Sequence, residues 1–221
     1  MKLKKIASLA LAGIMAVSML TACGEGGNGS SSSSSENTTP ATGYSAMLGQ
    51  KAAETLSDND LDEIFTFADD ADDQKALEKI VFNNVAETNV TNLVPQVSVS
   101  IVSTYAGIAD VQSDFQDEVG TLGWGTSLMV NGIDSQNTQT YANVWVANGT
   151  ISMDTVMAEV FEDMKASFEN AKEDGTDDTV DVNYSYDVSV SVANKAATSN
   201  TQFNGSLNFI GVVVTRTTEV A

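Results

Sequence analysis

Residues 182–192 read VNYSYDVSVSV. Val182, Tyr184, Tyr186, Val188, Val190 and Val192 take every second position, and Asn183, Ser185, Asp187, Ser189 and Ser191 fill the gaps. Successive side chains of a strand point to opposite faces, so this stretch predicts one long antiparallel strand with an apolar face and a wet face. A second long strand is expected over 203–218, returning beside the first. There Phe203, Leu207 and Phe209 share a face, and Val212, Val213 and Val214 are apolar on both. Both exceed the usual ~5–6 residues of a strand and need a partner layer. Gly211 interrupts the second strand, which marks a bulge or a point where another element packs closely.

The partner layer lies upstream. Residues 153–172 carry Met153, Val156, Met157, Val160, Phe161, Met164 and Phe168 as one apolar stripe at helical spacing. Ser152 is placed to cap that helix, and Gly175 to stop it. A helix is expected over 46–56. Ser57 opens a further turn or two, with Leu61, Ile64 and Phe65 as its apolar face. Another helix starts in the acidic cluster of Asp69, Asp70, Asp72 and Asp73, which favours the positive end of a helix dipole. Leu77, Ile80, Val81 and Val85 follow as its stripe, and Val94-Pro95 closes the region. Val97, Val99 and Ile101 alternate with serines as a half-buried strand. Ile108, Val111, Phe115 and Val119 line a short helix. Gly120, Gly123 and Gly125 around Trp124 read as a loop, with strand pieces at 126–132 and 138–147. Asn148-Gly149 is a turn signal. The expected fold is α+β: helices packed on one face of a mainly antiparallel sheet that ends in a long C-terminal ribbon.

Composition narrows the chemistry. The 221 residues hold 10 Lys+Arg against 30 Asp+Glu, a net charge of −20, with no histidine and one cysteine, Cys23. A Ser-His-Asp triad, a Cys-His pair and an imidazole metal site are excluded. One cysteine forms no internal disulfide and no multi-thiolate cluster. Nucleic acid is not an expected partner, because it demands a basic footprint.

The N-terminus has its own pattern. Lys2, Lys4 and Lys5 precede an apolar run at 6–20, which ends in Leu20-Thr21-Ala22-Cys23-Gly24. Fifteen residues are short of the about 20 that a membrane-spanning helix needs. They suit the middle of a secretory signal peptide. The segment resembles the signal peptide and lipobox of bacterial lipoproteins. The resemblance covers residues 1–24 and implies a diacylglyceryl group on Cys23 and cleavage after Ala22. An ordinary cleaved signal peptide and an uncleaved anchor are the alternatives. Removing residues 1–22 takes away three lysines and no acid, so the charge moves from −20 to −23. Residues 24–43 (GEGGNGSSSSSSENTTPATG) hold no large apolar side chain and read as a flexible tether with a reach of roughly 25 Å. The expected organisation is a signal peptide at 1–22, a lipidated Cys23 and tether at 23–43, and one extracytoplasmic domain at 44–221.

Candidate sites in that domain are few. Asp58, Asp60 and Asp62 alternate like the first three ligands of an EF-hand loop. Glu63 stands where the loop needs glycine, and Asp69 where it needs glutamate. The reading taken is a solvated acidic segment without a cofactor, with Ca²⁺ as the alternative. Asp177, Asp178 and Asp181 form a second acidic cluster. Tyr141 and Trp145 read as core or rim aromatics; with Trp124, their alternative is stacking on a sugar ring. The glycines at 120, 123 and 125 do not follow the order of a phosphate loop. The expected function is that of a lipoprotein held by its N-terminal lipid on the extracytoplasmic face of the cell membrane, presenting an acidic, non-enzymatic binding or envelope-accessory module. The alternatives are a carboxylate-based enzyme acting on envelope glycans, and a subunit of a surface assembly.

Overall fold

A computed structural model of the chain describes residues 43–56, 64–123, 138–177, 180–197 and 205–221. Their order is α1 (Tyr44–Leu56), β1 (Phe65–Phe67), α2 (Ala71–Asn84), α3 (Glu87–Leu93), β2 (Val99–Ile101), a 3-10 turn (Val102–Thr104), α4 (Asp110–Glu118), β3 (Leu122–Gly123), β4 (Gln139–Asn148), α5 (Met153–Glu169), β5 (Asp174–Asp177), β6 (Val180–Ala196) and β7 (Ser206–Val220). The fold is α+β. The sheet runs β1-β6-β7-β4-β2, with β5 also on β6 and β3 also on β4. Of its three long strands, β7 lies between β6 and β4 and is antiparallel to both, while β1 and β3 join the outer sides of β6 and β4 in parallel. The expected ribbon is present: β6 and β7 pair continuously from Val182↔Val220 to Ala196↔Ser206.

The side-chain parity of these strands divides the core in two. On one face, Tyr141, Trp145, Val188, Val190, Ile210, Val212 and Val214 pack with Leu48, Ala52 and Leu56 of α1 and the stripe of α5. On the other, Ala142, Val144, Val146, Phe209 and Val213 pack with Leu77, Ile80 and Val81 of α2, Val90 of α3 and Val111 and Phe115 of α4. Helices therefore cover both faces, where the sequence suggests one. The reason lies in the serines of β6. Asn183, Ser185 and Asp187 are exposed as expected, but Ser189 and Ser191 are buried. The Ser189 hydroxyl bonds to Asp73 on α2, so a polar position takes up a place beneath a helix without losing its hydrogen bond.

Local signals mostly act as read. The Asp70 carboxylate caps α2 by accepting the N–H groups of Asp72 and Asp73, at 2.7 and 3.0 Å. Ser152 caps α5 by accepting from Thr155 N at 3.3 Å. Gly211 makes no bulge, because pairing runs through it to Val144 and Ser191. It is the close approach: a Cβ there would lie 2.9 Å from the Phe115 ring.

Two local expectations are corrected. Phe65 lies in a strand, because Phe65 and Phe67 flank Thr66 and pair with Tyr186–Val188; residues 57–63 lie outside the described residues. Gly175 does not stop α5, which ends at Glu169 with the Asn170 side chain donating to the Ala166 carbonyl at 2.6 Å. Gly175 sits in β5, where a Cβ would meet the Tyr184 hydroxyl at 2.7 Å. Gly43, the last residue of the expected tether, donates its N–H to the Asp69 carboxylate at 3.1 Å.

Candidate functional site

Two polar clusters stand out against the apolar layers. The first forms where the N-terminus of α2 meets β6. Asp69 accepts from Gly43 N and Ser45 N, which fixes the start of α1. One turn on, Asp73 accepts from the Ser189 hydroxyl, and Gln74 bonds both backbone groups of Val192, at 2.9 and 3.0 Å. Burial pushes the Asp73 carboxyl above its ordinary value, Ser189 opposes that by stabilising the anion, and Asp70 and Asp72 add to the rise. Asp187, two residues before Ser189 on the same strand, is exposed at the surface, and partial desolvation by its neighbours still pushes its carboxyl up. A groove of about 430 Å³ runs beside Asp73, lined by Asp72, Lys75, Ala76, Lys79, Glu118 and Val119. Lys79 and Glu118 close against each other across it at 2.7 Å.

The second cluster surrounds Arg216, the sole arginine of the chain. It is 1% exposed and lies on the α1/α5 face of β7, in register with Gln139 of β4 and Tyr186 of β6. Its guanidinium lies 4.9 Å from the centre of the Tyr184 ring and donates to Gln139 Oε1 at 3.2 Å. The Tyr141 hydroxyl donates to the same oxygen. The Tyr186 hydroxyl donates to the Lys172 carbonyl at 3.1 Å and accepts from Lys172 N at 3.3 Å. Burial raises the pKa of Tyr141 and of Tyr186, and the Arg216 charge acts against both shifts. The cluster holds neutral phenols around a fixed cation in a mostly apolar layer. Composition alone did not bring Arg216 forward. Its position did carry a signal, as the one cation at the parity of Val212 and Val214.

The residues singled out from sequence are distributed as follows. Cys23, Asp58, Asp60, Asp62, Glu63, Trp124 and Asp178 lie outside the described residues. Tyr141 and Trp145 share a face four residues apart, but both are buried, and Trp145 is 1% exposed. Trp145 Nε1 donates to Asp163 of α5 at 3.0 Å. These two are core aromatics and offer no platform for a sugar. Asp181 is exposed at the start of β6. Among the described residues no group of three or more acidic or thiol side chains is placed to hold a metal ion, and no helix is long and apolar enough to cross a membrane. No protein-family model matches the chain, and neither a curated protein nor a solved structure does so.

Proposed function

We propose that the chain is a bacterial lipoprotein, held by a lipid on Cys23 at the extracytoplasmic face of the cell membrane, whose folded part acts as a non-enzymatic binding or envelope-accessory module. The observation that carries this is the order of Lys2, Lys4 and Lys5, the apolar run at 6–20, and Leu20-Thr21-Ala22-Cys23. The sole cysteine stands at the end of that run. One acyl chain gives only marginal membrane binding, whereas two on one residue give a lasting anchor. The module half is supported by how the fold uses its polar groups: Asp73, Gln74 and Asp163 make bonds that join one element to another, and Tyr186 bonds the segment that follows α5. The acidic charge keeps such a domain solvated and away from anionic lipid.

Mass spectrometry of the native protein tests the anchor. The expected N-terminal residue is a diacylglyceryl-modified Cys23, and a free thiol there ends the proposal. Cys23→Ala should move the protein out of the detergent phase in phase partitioning. Ca²⁺ at Asp58, Asp60 and Asp62 is tested separately by titration calorimetry, where heat at millimolar ion or below is the supporting result.

A second reading, a carboxylate enzyme on envelope glycans, has one observation in its favour. Asp187 and Ser189, which holds Asp73, stand two residues apart on one face of β6, and desolvation raises both carboxyls. Paired-carboxylate hydrolases use two such groups as acid and base. Release of reducing ends from envelope glycan, abolished by Asp73→Asn and by Asp187→Asn, would replace the first reading with this one.

A further inference from the structure

A strand at the edge of a sheet presents unpaired N–H and C=O groups to any other chain. In β6 those outward groups belong to the even-numbered residues. β5 covers Val180–Asn183 and β1 covers Tyr186–Val188, and there the short edge strands stop. The next outward N–H, of Val190, donates to the Ser45 hydroxyl at 2.9 Å. The outward N–H and C=O of Val192 both bond the side-chain amide of Gln74, which stands in for a strand by offering one acceptor and one donor. The other edge of the sheet repeats the device. Between β3 and β2 on the outer side of β4, the Ala142 carbonyl accepts from the Gln116 side chain at 2.8 Å. Val144 N there donates to the Asn143 side chain at 2.9 Å.

The stretch so covered on β6 is one that needs covering. Residues 188–194 read VSVSVAN, without charge or proline and rich in valine, which is the composition of a strand prone to self-pairing. We infer that Gln74 and Gln116 are edge guards: amides carried on α2 and α4 that complete the outer strands and exclude a second copy of this chain from adding to the sheet.

The inference is tested on the purified full chain by sedimentation velocity over a range of concentrations, at a temperature where each variant is folded. Gln74→Ala removes both bonds to Val192. Its weight-average mass should rise about two-fold or more at concentrations where the parent shows no rise. Gln74→Glu keeps the acceptor for Val192 N–H, loses the donor to the Val192 carbonyl and to Glu78, and adds a charge at the edge, so it should associate less than Gln74→Ala. Ile80→Val trims the packing of α2 without touching the edge and serves as the stability control. A folded Gln74→Ala chain with the parent's mass overturns the inference, and so does equal association of Ile80→Val. Should Gln74→Ala fail to fold, the same comparison with Gln116→Ala decides the matter on the other edge.

Discussion

Replacing Gly211 with alanine isolates one contact between the ribbon and the helices behind it. Gly211 lies mid-way along β7, paired on both sides, and its φ is not in the left-handed region. The backbone therefore tolerates alanine without strain, and the shorter list of unfolded conformations favours the variant by about 0.4–1 kcal/mol. The space does not tolerate it. The new methyl would lie 2.9 Å from two carbons of the Phe115 ring and 3.4 Å from Leu77 Cδ2. Both neighbours are fully buried, so the ring has to shift inside a packed layer. Overpacking of that kind costs about 1–3 kcal/mol. The balance is a net loss of roughly 1–2 kcal/mol. At about 2–4 °C per kcal/mol for a domain of this size, Gly211→Ala should melt about 2–8 °C lower. The assay is thermal and urea unfolding followed by far-ultraviolet circular dichroism. Phe115→Leu supplies the decisive background: with the ring gone, Gly211→Ala should be neutral or stabilising, a coupling of about 1 kcal/mol or more. An equal loss in both backgrounds would show that the ring is not what reserves this position for glycine.

Other perturbations follow from the polar contacts. Asp73→Asn tests the buried carboxyl: a raised folded-state pKa means stability that is full below the unfolded value near 3.8 and lost as pH rises through the folded value. The parent should therefore lose urea resistance relative to Asp73→Asn as pH climbs through that window, and a constant difference would contradict the assignment. Ser152→Ala removes the cap on α5 and should cost about 0.5–2 kcal/mol in urea unfolding, with Ser152→Gly costing less. Arg216→Lys keeps the charge but loses the guanidinium's place over the Tyr184 ring and the reach to Gln139, so a loss of about 1–3 kcal/mol is expected. Full stability of that variant would show that charge alone is required.

How far the fold could be read in advance depended on the length of each pattern. The alternation at 182–192 and the stripe at 153–168 run over enough residues to name their element, and β6 and α5 are where they were expected. The stripe of Leu77, Ile80 and Val81 and that of Val111 and Phe115 did the same for α2 and α4. Phe65-Thr66-Phe67 is too short to show a period. It becomes a strand only because β6, some 120 residues later, offers it an edge. Gly175 misled for a related reason: glycine marks a close approach as readily as a helix end, and only the Tyr184 hydroxyl tells the two apart. In the polar clusters, Arg216 was visible as a lone cation at an apolar parity. The partnership of Asp73 with Ser189 was not, since 116 residues separate them.

The serines of β6 show why polarity and exposure part company. Ser185 and Ser189 have the same chemistry, the same parity and the same strand, yet one is exposed and the other buried. A 17-residue strand is about 56 Å long, whereas the 14 residues of α2 reach about 21 Å. α2 spans less than half of that strand, so it covers one part of the face and leaves Asn183, Ser185 and Asp187 exposed. The boundary between dry and wet falls where α2 places Asp73 and Gln74, because those two side chains satisfy the groups that burial would otherwise strand. An alternating Ser/Val pattern is compatible with either outcome. What distinguishes them is an acceptor and an amide carried by another element, and the pattern of the strand itself contains neither.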